Sequence, residues 1–369
     1  MLINTSDDMY WKVDNKIFYN KILAIAESKS TKKPIQFHFY DNHLNKNWED
    51  LTGILSWDDI LKQRCLELRE KHSYIRLWYS GGRDSYLILK AFTDNNIVVD
   101  EVTVLDYNYK DAEYKHIIKY LKKNKHLYPT VKKITSVQFD LNIMQTVFAK
   151  NWETSARATN WLPIPPMGEI CNHNFKHGCN VTGIEKPRLY FDNGKIYSTM
   201  YDVTVLSWVG CDNHEPFYVS DNVPIYQYQT WHLVHYLKNK PEIIAMFDSD
   251  LNKNLFTAPA NLLDFTCLYY KAAEGSLRTE YADLVMGVPY AKKAFSDGLK
   301  SNKYLDITRC WEDHYPEIYK RFNNAIINVT EDHREYFRED NVTVPTAISS
   351  KMRYIDEKVY LPKFAQEFY

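Results

Sequence analysis

Long apolar runs are missing from this chain. Nowhere in its 369 residues do roughly 18 apolar positions follow one another, the length that marks a membrane-crossing helix, so no membrane partner is expected. Cysteine is sparse. The six thiols, Cys65, Cys171, Cys179, Cys211, Cys267 and Cys310, are too few and too scattered for a disulfide scaffold. The opening MLINTSDDMYWK lacks the positive-then-apolar pattern of an export signal, so a reducing, cytoplasmic compartment is expected. Charge of one sign is missing too: 46 Lys and Arg stand against 47 Asp and Glu, for a net charge of -1 and a pI of 6.9. The broad basic field of a nonspecific nucleic-acid binder is therefore absent. A local patch, and with it a nucleic-acid substrate, stays open. The chain also lacks G-x-x-x-x-G-K-[ST], G-x-G-x-x-G and any C-x-x-C. The first two absences exclude a Walker A loop and the dinucleotide fingerprint. There is no internal repeat and no low-complexity tract.

What is present is the composition of a globular protein, with 45% hydrophobic and 25% charged residues. The length suits one large domain or two moderate ones, at roughly 100–200 residues each. Aromatics reach 15%, with 29 Tyr; each Tyr joins a rigid apolar body to a polar tip and suits pockets and interfaces. Periodicity divides the chain into a mixed α/β extension over 1–72, an alternating strand–helix domain over 73–224 and a mainly helical region over 225–369. In the extension, MYWKVDNKIFYNKILAIA reads as a short strand followed by a helix, and residues 38–53 read as loop and turn. Leu55 to His72 reads as a helix. Ile60, Leu61, Cys65, Leu66 and Leu68 recur at helical spacing, and Ser56 with Asp59 forms a weak capping box.

The period then changes. Tyr74–Tyr79, Val98–Leu105 and Thr130–Val137 read as strands, with helices expected over Asp84–Phe92 and Tyr109–Leu121. This alternation predicts a parallel sheet covered by helices, with right-handed crossovers. NWLPIPP reads as loop, Met167–Phe175 as a short helix, and Cys179–Thr182 as a fourth strand ending at Gly183. Asp192-Asn193-Gly194 between two apolar runs, Leu189–Phe191 and Lys195–Tyr197, signals a hairpin. Helices are expected over Gln229–Asn239, Glu242–Phe247, Asn261–Glu274 and Trp311–Ile327, and an irregular tail over Pro345–Tyr369.

Between the first strand of this domain and its helix stands Ser80-Gly81-Gly82-Arg83-Asp84-Ser85. Two glycines leave room for an approaching phosphate, and their N–H groups can form an anion nest. The helix N-terminus adds unpaired N–H groups and a positive dipole end. Ser80 and Ser85 offer hydroxyls. Asp84, an anion, suits a magnesium ion that bridges to phosphate, and Arg83 can neutralise remaining charge.

In this context the string resembles the SGGxDS loop of the ATP pyrophosphatases, the PP-loop superfamily of asparagine, GMP and NAD synthetases, queuosine-precursor synthases, tRNA thiolases and PAPS reductases. The resemblance implies an α/β fold with a Rossmann-like (HUP-type) doubly wound parallel sheet, ATP and magnesium as cofactors, and cleavage between the alpha and beta phosphates. It implies that Ser80, Gly81, Gly82, Asp84 and Ser85 grip pyrophosphate and magnesium. The backbone of Leu77 to Tyr79, and Leu105 and Asp106 at the end of the second strand, would lie beside adenine or ribose.

A second loop, Thr182-Gly183-Ile184-Glu185-Lys186-Pro187-Arg188, stands where asparagine synthetase-like enzymes carry Ser-Gly-x-Gly-x-Asp-Glu. By that resemblance Glu185 would join Asp84 on magnesium, and Lys186 and Arg188 would face the phosphates. The second Gly and the Asp-Glu pair are absent here. Lys351, with Arg353 close by, resembles the late basic residues such enzymes bring to pyrophosphate. Asp264, Glu274, Arg278 and Glu280 are weaker candidates for substrate contact. Cys171, His173, His177 and Cys179 fall within nine residues and can supply four zinc ligands in principle, although one residue between each Cys and His departs from the common fingers.

No glutaminase constellation is recognisable, and Leu2 stands where asparagine synthetases carry a nucleophilic Cys. The leading expectation is an ATP-dependent, AMP- and pyrophosphate-forming amide ligase. It would act on a small-molecule or nucleobase-type substrate, with ammonia or an amine from a separate donor. The alternatives are a tRNA or nucleotide thiolase, in which Cys171 or Cys179 would act with Cys211, a PAPS-reductase-like enzyme, and a non-catalytic nucleotide-binding or structural protein.

Overall fold

A computed structural model describes residues 9–18, 35–81, 83–106, 113–138, 177–184, 187–192, 195–200, 213–238 and 353–356, with isolated residues among 24–33 and at Cys171 and Phe175. The expected helices over 242–247, 261–274 and 311–327, and most of the one over 167–175, lie outside them.

The amino-terminal residues form an antiparallel sheet of β1 (Met9–Val13), β2 (Lys16–Phe18) and β3 (Ile35–Phe39), in the order β2-β1-β3. Alternation in MYWKV and IQFHF buries Trp11, Val13, Phe37 and Phe39, and Trp11 lies opposite Phe37. Asp14 adopts φ 53, and the Asp14-Asn15 pair closes a tight turn between Val13 and Lys16. The run after the first strand therefore turns back as β2. The stretch read as loop holds the end of β3 and a short helix, α1 (Asp41–Asn45). Helix α2 (Trp57–Lys71) starts at Ser56 with its capping box made: Ser56 Oγ accepts from the Asp59 amide, and the Asp59 carboxylate accepts from the Ser56 amide.

Five parallel strands follow. They are β4 (Ile75–Trp78), β5 (Val99–Asp106), β6 (Val131–Gln138), β7 (Cys179–Thr182) and, beyond a hairpin of β8 (Arg188–Asp192) and β9 (Lys195–Thr199), β10 (His214–Pro216). Helix α3 (Arg83–Asp94) joins β4 to β5, and α4 (Glu113–Lys123) lies between β5 and β6. The order is β10-β7-β4-β5-β6, with every pairing parallel. The chain winds outward from β4 to β6, then returns to the other side of β4 for β7. This is a Rossmann-like doubly wound sheet. Helix α5 (Ile225–Lys238) packs against α2. The tail read as irregular contains β11 (Arg353–Asp356), which pairs antiparallel with β9. Among the described residues no helix is long and apolar enough to cross a membrane.

The two faces of the sheet differ in chemistry. Ile75, Leu77, Val102, Val104, Cys179 and Val181 form an apolar face in one core with Leu61, Leu68, Ile88 and Phe92 of α2 and α3. The opposite face is polar and buried. Arg76 Nε donates to Glu101 at 3.0 Å and Trp78 Nε1 to Asn180 at 2.9 Å. Tyr74 and Thr135 hydroxyls also donate to Glu101, and the Arg76 guanidinium lies 3.5 Å from the centre of the Phe175 ring. Burial works against the Glu101 charge, but its hydrogen bonds and Arg76 hold the carboxyl below its ordinary range.

Helix α2 carries an arginine inside its apolar stripe. Arg64 is fully buried, between Leu61 and Leu68. Its Nε donates to the Phe217 carbonyl at 2.9 Å, and its Nη2 to the Pro216 and Val219 carbonyls at 2.8 and 3.2 Å. Glu67 and Glu215 pair with it. Burial works against the cation, and the two carboxylates more than restore it. Glu67 also accepts from the Ser220 hydroxyl, and Ser220 Oγ accepts from the Asn222 and Val223 amides ahead of α5.

Removing one partner of a buried charge pair typically costs about 3–5 kcal/mol. Arg64→Met should fall in that range in urea denaturation. Arg64→Lys should recover only part of the loss, because one ammonium cannot reproduce the guanidinium fork. A midpoint for Arg64→Met equal to that of the unmodified protein would refute this role.

Candidate functional site

Strand β4 ends on a run of buried residues, and each of its neighbours is parallel to it. The Tyr79 amide donates to the Thr103 carbonyl at 2.8 Å, so the sheet pattern reaches the last residue before Ser80. Gly81 then adopts φ +72, and a Cβ there would stand 2.7 Å from Ile117 Cδ1 of α4. The left-handed backbone favours glycine there, and any side chain would have to displace Ile117. Helix α3 starts at Arg83. Ser85, in its first turn, is buried. Its Oγ accepts from the Ser80 amide at 3.2 Å and lies 3.3 Å from Ser80 Oγ. The loop is thus closed on itself by its two serines, while Ser80 stays exposed. Asp84 is half-buried, and the Tyr218 hydroxyl donates to its carbonyl at 3.2 Å.

The second loop reaches the first. A Cβ on Gly183 would stand 2.8 Å from Asp84 Cβ, and 3.3 Å from both the Asp84 carbonyl carbon and Ile88 Cδ1. The absence of a side chain at Gly183 therefore lets the strand end of β7 rest on the first turn of α3. Two anchors hold this loop from either side. Thr182 Oγ1 and His214 Nε2 share a hydrogen bond of 2.7 Å. Ile184 packs against the core of the amino-terminal sheet, which includes Trp11, Phe37, Met200 and Val219. Burial lowers His214 to about 3 against the opposing pull of Glu215, so its imidazole is neutral. Burial would raise Glu215, but His72, Arg64 and Lys71 overcome it and hold the carboxyl at about 2.

The first strand is β4 and the fourth is β7, and they are neighbours. The crevice between their carboxyl ends is the point where the winding reverses, the usual ligand position in open α/β sheets. Gly81, Asp84, Ser85 and Gly183 meet there. Leu105 and Asp106, both half-buried, end β5 on the same edge, beyond Thr103, the partner of Trp78. Leu77 and Tyr79 are buried. Leu77 faces the apolar core, and Tyr79 is held well above its ordinary range by burial beside Tyr128, Tyr86 and Tyr120. Only backbone atoms of these two residues remain for a ligand.

Arg83 opens α3 and Arg188 opens β8. Gly82, Glu185, Lys186 and Lys351 lie outside the described residues, as do Cys211, Asp264, Glu274, Arg278 and Glu280. Of the proposed zinc ligands, Cys171 and Cys179 are buried, His177 is exposed and His173 lies outside. Among the described residues no three His, Cys, Asp or Glu side chains gather as a metal site. Cys179 pairs with Ile75, at the opposite end of the strands from Ser80. The sequence singles out Thr182 as the hydroxyl that opens the second loop, but not its partner His214, nor Arg64 and Tyr218. Arg64 had a signal, a charge at an apolar helical position. The others owe their place to long-range pairing.

No protein-family model, curated protein or solved structure matches the chain.

Two outcomes follow from this geometry. A Cβ at Gly183 forces Asp84 and α3 apart, so Gly183→Ala should lower stability in urea denaturation by about 1–3 kcal/mol, the usual cost of overpacking; a midpoint equal to that of the unmodified protein would refute the contact. Stability should also fall with acid. His214 and the buried His43, lowered by burial to about 4, both lie below the ordinary 6.5. Each therefore binds a proton on unfolding. Their contribution is complete above pH 6.5 and is lost as pH falls towards their folded values, at up to about 1.4 kcal/mol per pH unit for each. Glu215 adds its own loss below about 4.5. Urea midpoints from pH 7 to 5 should fall for the unmodified protein and fall less for His214→Gln. Parallel curves would count against a neutral, buried His214.

Proposed function

We propose that this chain is an ATP-dependent ligase of the PP-loop type, close to the asparagine synthetase-like enzymes but without a glutaminase. The observation that carries the reading is the contact of Gly183 with Asp84 at the switch point of the sheet. It joins an SGGRDS loop, placed between a parallel strand and a helix, to a second hydroxyl-Gly loop on the neighbouring strand. Both are the places the superfamily uses.

The donor set suits a triphosphate. Ser80 is exposed, Gly81, buried beneath Ile117, gives the loop its left-handed turn, and α3 contributes its positive end. One carboxylate, Asp84, is what magnesium requires when phosphates supply further ligands; the ion would neutralise charge on the leaving pyrophosphate. The chain's part is positioning. The loop holds the beta and gamma phosphates, the alpha phosphorus faces a substrate carboxylate or amide-like oxygen, and the new P–O bond forms as pyrophosphate leaves. Ammonia or an amine then attacks the adenylated carbon, and AMP departs. Lys186, Arg188 and Lys351 are the candidates to stabilise developing charge. No protein nucleophile is needed. Sulfur transfer is less well supported, because Cys179 stands at the far end of the strands.

Calorimetry with ATP and magnesium should show binding to the unmodified protein and at least tenfold weaker binding to Asp84→Asn, which keeps a helix-compatible side chain and loses the charge. Chromatography of labelled ATP after turnover should show AMP and pyrophosphate. Absence of ATP binding by the folded chain, or ADP as the dominant product, would overturn the proposal.

A further inference from the structure

A second feature of the domain is electrostatic. Residues 114–139 contain seven lysines and two histidines and not one Asp or Glu. The chain as a whole is balanced, so this is a local departure in sign. It covers α4 after its first residue, Glu113, the turn that follows and β6, the edge strand of the sheet.

The lysines of this run divide by partner. Lys132 pairs with Asp100 at 2.8 Å, and Lys133 lies 3.8 Å from Glu101. Those two guard an edge strand and answer buried carboxylates. Lys119, Lys122 and Lys123 on α4 are exposed and make no ion pair with any described residue. Lys125 is also exposed and, among the described residues, reaches only the Lys132 carbonyl, at 3.5 Å. An ordinary solvated helix face mixes signs and forms i, i+4 pairs. Among the described residues this one has no acidic partner for Lys119, Lys122 and Lys123, at spacings of three and four residues that place them side by side.

Position gives the patch a direction. Ile117 of α4 meets the backbone of Gly81 in the phosphate loop, and Lys119 follows two residues on. The helix then runs away from the cleft for about 1.5 Å per residue to Lys123, Lys125 and the exposed His126 and Leu127. We propose that this strip binds single-stranded RNA, with the strand leading from the turn at His126 towards the nucleotide cleft. Polyphosphate matches the uncompensated lysines. An unpaired base can stack on an exposed imidazole or lie on Leu127, which is 50% exposed. Unpaired, splayed bases are the usual target in RNA. Duplex DNA fits less well, because the inner face of α4 is packed on β5 and β6 and the helix cannot sink into a major groove. A membrane surface fits less well, because the same packing leaves no apolar helix face to insert. That the strand would deliver its base to ATP rests on the ligase reading; the contact between RNA and the strip does not.

The test is fluorescence anisotropy with a labelled single-stranded RNA of mixed sequence, on the full chain without ATP. The unmodified protein should bind saturably. The triple variant Lys119→Gln, Lys122→Gln, Lys123→Gln keeps good helix formers and should bind at least tenfold more weakly. Its dependence of log affinity on log salt should be shallower by about 2, from roughly 0.7 per phosphate contact on a single strand. Calorimetry of the variant with ATP and magnesium should match that of the unmodified protein, which separates loss of this surface from loss of the cleft. No saturable RNA binding by the unmodified protein, or equal binding by the variant, would overturn the proposal. So would tighter binding to single-stranded DNA of the same sequence, or lysine-dependent binding to phosphatidylserine vesicles in place of RNA.

Discussion

One buried guanidinium organises the approach to the cleft. Arg64 belongs to α2, which by sequence is outside the alternating strand–helix domain, yet its donors end on the carbonyls of 216, 217 and 219. That segment lacks a regular partner for those carbonyls, and burying them unpaired would cost about 1–3 kcal/mol each. The arginine meets three of them at once and is itself paid for by Glu67 and Glu215. Fixing the segment fixes Tyr218, and the Tyr218 hydroxyl holds the Asp84 carbonyl in the first turn of α3. The orientation of a candidate magnesium ligand therefore depends on a charge several elements away in sequence.

The sheet shows why such charges are tolerated here. Parallel strands buried on both faces usually read as continuous apolar runs, whereas IRLW, VDEVTVLD and CNVT alternate. The alternation places Arg76, Glu101, Asn180 and Thr135 together on one face. Arg76 donates to both Glu101 and Asn180, and Glu101 takes further hydrogen bonds from Tyr74 and Thr135. Half-satisfied, the same set would cost more than an apolar layer would. It also fixes register: a one-residue slip of β5 that set Arg76 opposite Val102 would take the guanidinium off Glu101.

Local signals carried much of this fold. The capping box at Ser56, the Asn193-Gly194 hairpin, four of the parallel strands and the helix after Asp84 all follow from periodicity and turn chemistry, and all appear within a few residues of the expected bounds. What was illegible is what depends on distant partners. His-Glu-Pro has no strand propensity, and β10 exists because β7 offers an edge and Pro216 is tolerated on the outermost strand. Strand β11 exists because β9 offers another. The site was legible as a string, SGGRDS, and as a second loop at Gly183. The contact between them was not, since it depends on a glycine whose importance lies in a side chain it lacks. The polar anchors Thr182 and His214 are ordinary residues until β7 and β10 pair.

The ends of the chain bear on the cleft as well. Ile184, one residue past the glycine that touches Asp84, packs into the core that holds Trp11 and Phe37 of the amino-terminal sheet, and Ile355 of β11 packs against the same core. Hairpin β8–β9 leaves the second loop directly, and β11 pairs with its inner strand. Segments from both ends of the sequence thus meet on the far side of one short loop. A loop held from one side only can swing, and Gly183 would then keep no fixed contact with Asp84. Catalysis by positioning tolerates little such freedom, because a misplacement of about 1 Å can cost a hundredfold in rate. The amino-terminal sheet and β11 are best understood as the backing that removes this freedom, which is why the elements hardest to read from sequence are the ones the proposed chemistry needs.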